Sequence, residues 1–193
     1  VYLFFYLIGA YLLGSVMSGY VVARTLGHID LRKEGSGNVG ARNAGRLLGK
    51  KAFVLTFLGD ALKGFFVVFI PAVFFDINPA ILLFGLAAAV IGHLKPITLR
   101  FKGGKGVSTF IGGIAAFDYK VLLVMIVLFL VLYLLLRSFT LAGLAAILLV
   151  PIIFYLLSYS WLHCFLMLSI TLLVIFAHKE NVCDRLKKGG GCG

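Results

Sequence analysis

The stretch GSGNVGARNAGRLLGK, residues 35–50, decides how the chain is read. Gly35, Gly37 and Gly40 fit G-x-G-x-x-G, the dinucleotide-binding fingerprint. That fingerprint needs a strand before it, a helix after it and an acidic residue about 20 positions on, in a hydrogen-bonding position. Here a long apolar run and the polar linker DLRKE precede it, and another apolar run follows. Asp60 stands at the right distance, but inside that second apolar run. The nucleotide reading fails on context. A Walker A loop fails too, because no Gly-Lys pair is followed by Ser or Thr.

Outward from the loop, the chain is apolar. Of its 193 residues 62% are hydrophobic and 13% charged, with a mean hydropathy of +1.09. A soluble domain of this size has too little interior to hide so much apolar surface, which points to a membrane protein with several spans. Apolar runs lie at roughly 2–23, 52–75, 79–95, 107–117, 119–136, 140–157 and 161–177. The expected fold is an all-α integral membrane protein of seven transmembrane helices, the fourth short. One membrane domain covers 1–188, and 189–193 is expected to be a flexible tail. The first run is read as a membrane helix and not a cleaved signal, because no basic n-region precedes it.

Charge distribution orients this arrangement. The segments 24–51, 95–106, Arg137 and the tail from Lys179 hold sixteen of the eighteen Lys and Arg residues. With seven crossings these all fall on one side, while Lys120 is the single basic residue opposite them. The basic side is expected to be cytoplasmic, with the N-terminus outside and the C-terminus inside. The net charge of +11 is thereby read as a membrane signature, with no nucleic-acid partner expected. Cys164 lies in an apolar run as a packing residue, and Cys183 and Cys192 lack metal-ligand spacing. No metal, cofactor or obligate protein partner is expected.

Within the runs, Asp60 and Lys63 stand three residues apart on one face of the second span, roughly 12–18 Å from its start. Ionisable groups at that depth face the bundle interior. They form either a polar floor beneath a cavity or a self-compensating pair that pins helix packing. Pro71 is expected to kink the same span. His93 and His178 close the third and seventh spans at the basic boundary.

The glycine loop itself suits an anion. Ser36, Asn38 and Asn43 offer side-chain donors, Gly35, Gly37 and Gly40 free the backbone to turn its N–H groups, and Arg46, Lys50 and Lys51 supply charge. A second loop, FKGGKGVST (101–109), repeats the recipe with Lys102, Gly104, Lys105, Ser108 and Thr109. A helix starting after Gly106 would add its dipole. Two such loops on one face predict a site for phosphate groups.

These motifs carry a resemblance. SGNVGARNAGRLLGK (36–50) resembles the SGNxGATNxxRxxGK signature of the bacterial acyl-phosphate:glycerol-3-phosphate acyltransferases, the PlsY type. GSVMSGYVVAR (14–24), DALKG (60–64), GHLKP (92–96), FKGGKGVST (101–109) and HKEN (178–181) follow the family order. Two residues depart from the pattern. Arg42 stands where Thr is usual, replacing a hydroxyl with a cation. Met17 stands where Pro is usual, removing the proline that would kink the first helix.

The resemblance implies transfer of a fatty acyl group from acyl phosphate to the 1-hydroxyl of glycerol 3-phosphate, giving lysophosphatidic acid for phospholipid synthesis at the bacterial plasma membrane. On that reading Ser36, Asn38, Arg46 and Lys105 hold phosphate oxygens, with Gly37, Gly40, Asn43, Gly104, Ser108 and Thr109 around them. His178 and Asn181 orient the glycerol hydroxyl, and Asp60, Lys63 and His93 support the site. The base is either His178 or a substrate phosphate oxygen. No histidine has an Asp five positions later, which excludes the H-x-x-x-x-D pair of acyl-CoA-dependent enzymes, and no G-x-S-x-G elbow occurs. The alternative is a small membrane carrier or binder of phosphorylated anions. Its external connections DINP, FDYK and SYSW would offer few polar groups for an outer vestibule. A CDP-alcohol phosphotransferase lacks support, since its multiple-aspartate metal signature is missing.

Overall fold

The computed structural model describes residues 2–75 and 77–179. Among these residues the regular structure is helical. The chain falls into two compact units, Val1–Tyr119 and Lys120–Gly193. The first holds α1 (Tyr2–Gly14), α2 (Ser18–Gly27), α3 (Ala41–Phe74), α4 (Pro79–Leu94), a short 3-10 turn (Ile97–Leu99) and α5 (Val107–Phe117). The second holds α6 (Tyr119–Leu136, entered at Lys120), α7 (Phe139–Leu148), α8 (Val150–Leu156) and α9 (Trp161–Phe176).

Five helical stretches among the described residues are long and apolar enough to cross a bilayer: Tyr2–Gly27, Ala41–Phe74, Pro79–Leu99, Tyr119–Leu136 and Phe139–Leu156. Val107–Phe117 and Trp161–Phe176 are apolar but shorter. Every apolar run in the sequence therefore became a helix or helix pair. Their outer faces carry exposed Leu, Phe, Val and Ile side chains, the surface expected of helices solvated by lipid.

The first run breaks in two at residues 15–17, although no proline stands there. Met17 is extended (φ −100°, ψ 95°) and precedes α2. The cause lies far along the chain. Lys63 donates from Nζ to the Val16 carbonyl at 2.6 Å, and Asp60 Oδ1 accepts the Ser18 N–H at 3.3 Å. Backbone groups freed by the break are thus satisfied by an ion pair on α3, as they must be in a lipid medium.

In α3 the dihedral break falls at Gly49 (φ 82°, ψ −176°), while Pro71 stays helical near the end. Only glycine adopts that conformation at low cost. In an unbroken helix residues 45 and 53 would lie about 12 Å apart along the axis. Here a Cβ on Gly45 would stand 2.7 Å from the Phe53 Cβ. The segment 41–48 therefore turns sharply away from the apolar leg 50–74. Its inner face is Ala41, Asn43 and Ala44, and its outer face is Arg42, Arg46 and Leu47.

α5 packs tightly on α3 because Gly64 and Gly112 present bare backbone to Thr109 and Ala61 respectively, the small-residue contact typical of membrane helices. In the second unit, Ser138 caps α7 by accepting the Leu141 N–H, and α8 and α9 pack as neighbours.

Candidate active site

The first glycine loop and the turn before the second share a core in the first unit. Leu31 and Val39 from the first loop, Leu99 from the turn before the second, and Ala44 and Ala52 from α3 share one buried apolar cluster with Met17 and Ala23. Thr98 Oγ1 also donates to the Ser15 carbonyl at 2.6 Å, and Tyr11 donates from its hydroxyl to the Lys95 carbonyl at 2.8 Å. Both loops are anchored to the same end of the helices.

The first loop is held from within. Buried Asn43 accepts the Ser36 N–H at 3.0 Å and donates to the carbonyls of Glu34 (3.0 Å) and Leu31 (3.4 Å). Its amide is therefore the tie that shapes the loop. The Gly37 N–H goes to the Glu34 carbonyl at 3.0 Å, with Gly35 (φ 60°) and Gly37 (φ 69°) both left-handed. So the N–H groups of Ser36 and Gly37 are used by the loop itself. What the loop presents outward is the exposed Ser36 side chain and the half-buried Asn38. Asn38 lies over Gly40, whose missing Cβ leaves room for the Asn38 amide nitrogen. Gly40 opens α3, and no side chain caps that end. Arg46 is exposed one turn in.

Sequence reading missed a clamp beside this loop. Asp30 accepts from Arg32 Nη2 at 2.6 Å and Nε at 3.0 Å, and from the Arg32 backbone N–H at 3.0 Å. Arg24 and Arg32 both lie over the Tyr20 ring, at 5.4 and 5.2 Å from its centre. The Arg32 hydrogen bonds hold the Asp30 carboxyl down at about 2. Arg24 and Arg32 are thus engaged in structure. Tyr20, Arg24, Asp30 and Arg32, spread over thirteen residues, were the only available signal.

The second loop wraps the end of α4. The Gly104 N–H donates to the His93 carbonyl at 3.0 Å. A Cβ on Gly104 would collide with His93 Nε2, and one on Gly103 with the His93 carbonyl. His93 is buried, and its Nδ1 lies 3.1 Å from Thr109 Oγ1 and 3.8 Å from Asp60 Oδ1. Thr109 is buried and turned to His93, while Lys105 and Ser108 are half-buried. Gly106 (φ 81°) opens α5 with no side-chain cap.

Asp60 and Lys63 complete the floor. They pair at 3.0 Å with both side chains almost fully buried. Oδ2 of Asp60 and the Thr56 hydroxyl one turn earlier lack a hydrogen-bond partner. The pair satisfies backbone groups of the broken first helix and lies against His93. A polar chain thus runs from Val16 through Lys63, Asp60 and His93 to Thr109 and the Gly104 backbone.

His178 belongs to the second unit, just past α9, and is buried. Its Nδ1 lies 2.8 Å from the Val174 carbonyl. A ring nitrogen can donate to a carbonyl only as N–H, so the neutral ring carries its lone pair on Nε2. Asn181, Cys183 and Cys192 lie outside the described residues.

These features define an integral membrane protein with glycine-rich, cationic loops and a buried group of polar side chains. The sequence pattern of the glycerol-3-phosphate acyltransferase family matches residues 4–189, and the chain belongs to that family. It is 44% identical over 177 residues to glycerol-3-phosphate acyltransferase 1 of Bacillus cereus, covering 92% of this chain and 97% of that one. It is 40% identical over 185 residues to the glycerol-3-phosphate acyltransferase of Aquifex aeolicus, covering 96% and 95%. Among solved structures it is similar to the integral membrane glycerol 3-phosphate acyltransferase PlsY. The glycerol 3-phosphate form matches with a TM-score of 0.89 at 40% identity, over 98% of this chain and 94% of that one. The lysophosphatidic acid form matches with a TM-score of 0.87 at 38% identity, over 98% and 93%.

Proposed function

We infer that this protein transfers a fatty acyl group from acyl phosphate to the 1-hydroxyl of glycerol 3-phosphate, forming lysophosphatidic acid. The observation that carries the reading is the buried cluster that joins the first glycine-rich loop to the turn before the second in the first unit. Both substrates are phosphate anions, and one is a lipid. A cationic site at the edge of the bilayer suits both. Family membership favours this enzyme over the carrier alternative.

Acyl phosphate is a mixed anhydride whose leaving group needs little acid help. The protein must position two anions and neutralise developing charge. The glycerol oxygen attacks the acyl carbon, the bond from that carbon to the phosphate oxygen breaks, and phosphate departs with the electron pair. Ser36, Asn38, Arg46 and Lys105 take the phosphate oxygens. The resemblance assigns the hydroxyl proton to His178 or to a substrate phosphate oxygen, and the orienting of the hydroxyl to Asn181. Asn43 and His93 act one step back, as the residues that shape the two loops. The reaction needs no metal, cofactor or protein partner.

The same reading sets the membrane arrangement: seven crossings, counting Val107–Phe117 and Trp161–Phe176, with the N-terminus outside and the C-terminus and site cytoplasmic. The basic bias of segments 24–51 and 95–106 supports it. The test is direct. Purified protein in lipid nanodiscs, given acyl phosphate and glycerol 3-phosphate with chelator and without acyl-CoA, forms lysophosphatidic acid and inorganic phosphate in equal amounts. Product that appears only with acyl-CoA, or none at all alongside counterflow of glycerol 3-phosphate in vesicles, overturns the assignment.

A further inference from the structure

The turn Ile97–Lys102 stands out from its surroundings. Arg100 (φ 55°) and Phe101 (φ 60°) are consecutive non-glycine residues in the left-handed region. Such a conformation is uncommon for any side chain and strained for a bulky one. The backbone is closed around it. The Phe101 N–H donates to the Pro96 carbonyl at 2.9 Å, and the Lys102 N–H to the Leu99 carbonyl at 3.2 Å. Glycine would fit position 101 without strain, yet a phenylalanine sits there with 53% of its surface exposed. Ile97 beside it is 55% exposed, while Leu99 points into the core. Strain retained for an exposed aromatic side chain implies a task for that side chain outside the fold.

The setting says what it meets. The turn caps a stretch, Pro79–Leu99, apolar enough to cross the bilayer. Arg100 and Lys102 flank Phe101 and are exposed, and segment 95–106 contains four cations and no carboxylate. An aromatic and a branched aliphatic side chain between two cations, at the end of a span, matches the boundary between acyl chains and anionic headgroups. A nucleic acid would not reward exposed Ile97, and a soluble acidic peptide would not need burial at span depth.

We propose that the Ile97–Lys102 turn is a membrane-interface clamp for anionic phospholipid: Phe101 and Ile97 insert among the acyl chains, and Arg100 and Lys102 hold the headgroup phosphate. Gly103 and Gly104 follow directly and are fastened to His93. The clamp therefore fixes the depth at which the second glycine loop meets the lipid surface.

The test uses the full-length protein with Phe101→Trp in a Trp161→Phe background, since Trp161 is the chain's one tryptophan. It is reconstituted in phosphatidylcholine vesicles containing increasing brominated phosphatidylglycerol or brominated phosphatidylcholine. The clamp predicts stronger quenching by the brominated anionic lipid. Adding Arg100→Gln should raise the mole fraction needed for half-quenching about fivefold, the equivalent of about 1 kcal/mol per basic residue at an anionic surface. Equal quenching by the two lipids, or emission quenched by aqueous iodide and not by lipid, overturns it. A second reading is independent of tryptophan. Ile97→Ser, outside the glycine loop, should keep parental turnover in detergent micelles and lose it in anionic vesicles, whereas loss in both would make Ile97 a folding residue and refute the clamp. Quenching needs no catalysis, so its outcome is separable from that of the acyl-transfer assignment.

Discussion

Replacing Lys63 by Met should be among the most damaging single changes away from the loops. Lys63 is 4% exposed, pairs with Asp60 at 3.0 Å and donates to the Val16 carbonyl at 2.6 Å. Its removal leaves a buried carboxylate unpaired, with one oxygen already lacking a partner, and strips the carbonyl at the break between α1 and α2. Breaking one side of a buried pair costs about 3–5 kcal/mol. For a protein of this size each kcal/mol moves Tm by roughly 2–4 °C, so a fall of at least about 6 °C is expected. The double variant Asp60→Asn/Lys63→Met removes the stranded charge and should recover about half of the loss. Thermal unfolding in detergent, followed by size-exclusion chromatography after heating, measures both. A Lys63→Met protein as stable as the parent, or a double variant no better than the single one, would refute the role given to this pair.

Other expectations follow from the loops. Arg46→Ala and Lys105→Ala should each lower turnover on the order of a hundredfold with folding intact, the scale of a lost oxyanion donor; near-parental turnover in both would remove their roles. Gly104→Ala should collide with His93 Nε2 and displace the loop, costing tenfold or more in turnover with little change in Tm. Gly9→Ala, where a Cβ meets open space, serves as the control. Asp30 has its carboxyl held at about 2, below the usual value near 3.9. Its contribution to stability is therefore present above about pH 4 and lost as pH falls toward 2. On a loop this amounts to no more than about 1 kcal/mol. Acid unfolding of Asp30→Asn should lack that component, and an unchanged acid limb would count against the clamp with Arg32.

How much of this could be read in the sequence depended on the range of the interaction. Apolar runs became helices because lipid solvates apolar side chains and demands internally bonded backbone. The eleven-residue α5 was legible for the same reason. Breaks within the runs were less so. Met17, standing where the family has Pro, put the kink of the first helix in doubt, yet the helix parts there, with Asp60 and Lys63, more than forty residues on, bonded to its backbone. The turn of α3 at Gly49 was hidden in a basic stretch that read as part of the anion-binding loop. In the candidate site, types of residue were legible and their assignments were not. Asn43 looks like a ligand in SGNVGARN, yet its amide is spent on the carbonyls of Leu31 and Glu34. His93 looked like an isolated interfacial histidine until Gly104 was seen to lie against its ring.

Direct transfer between two anions is the centre of this account, and single-turnover kinetics with labelled acyl phosphate tests it most directly. Without glycerol 3-phosphate the protein should release no burst of phosphate and carry no label after denaturation. With glycerol 3-phosphate present, phosphate and labelled lysophosphatidic acid should appear together at one rate. A stoichiometric phosphate burst in the absence of acceptor, with the acyl label retained on Cys164 or a serine, would contradict it.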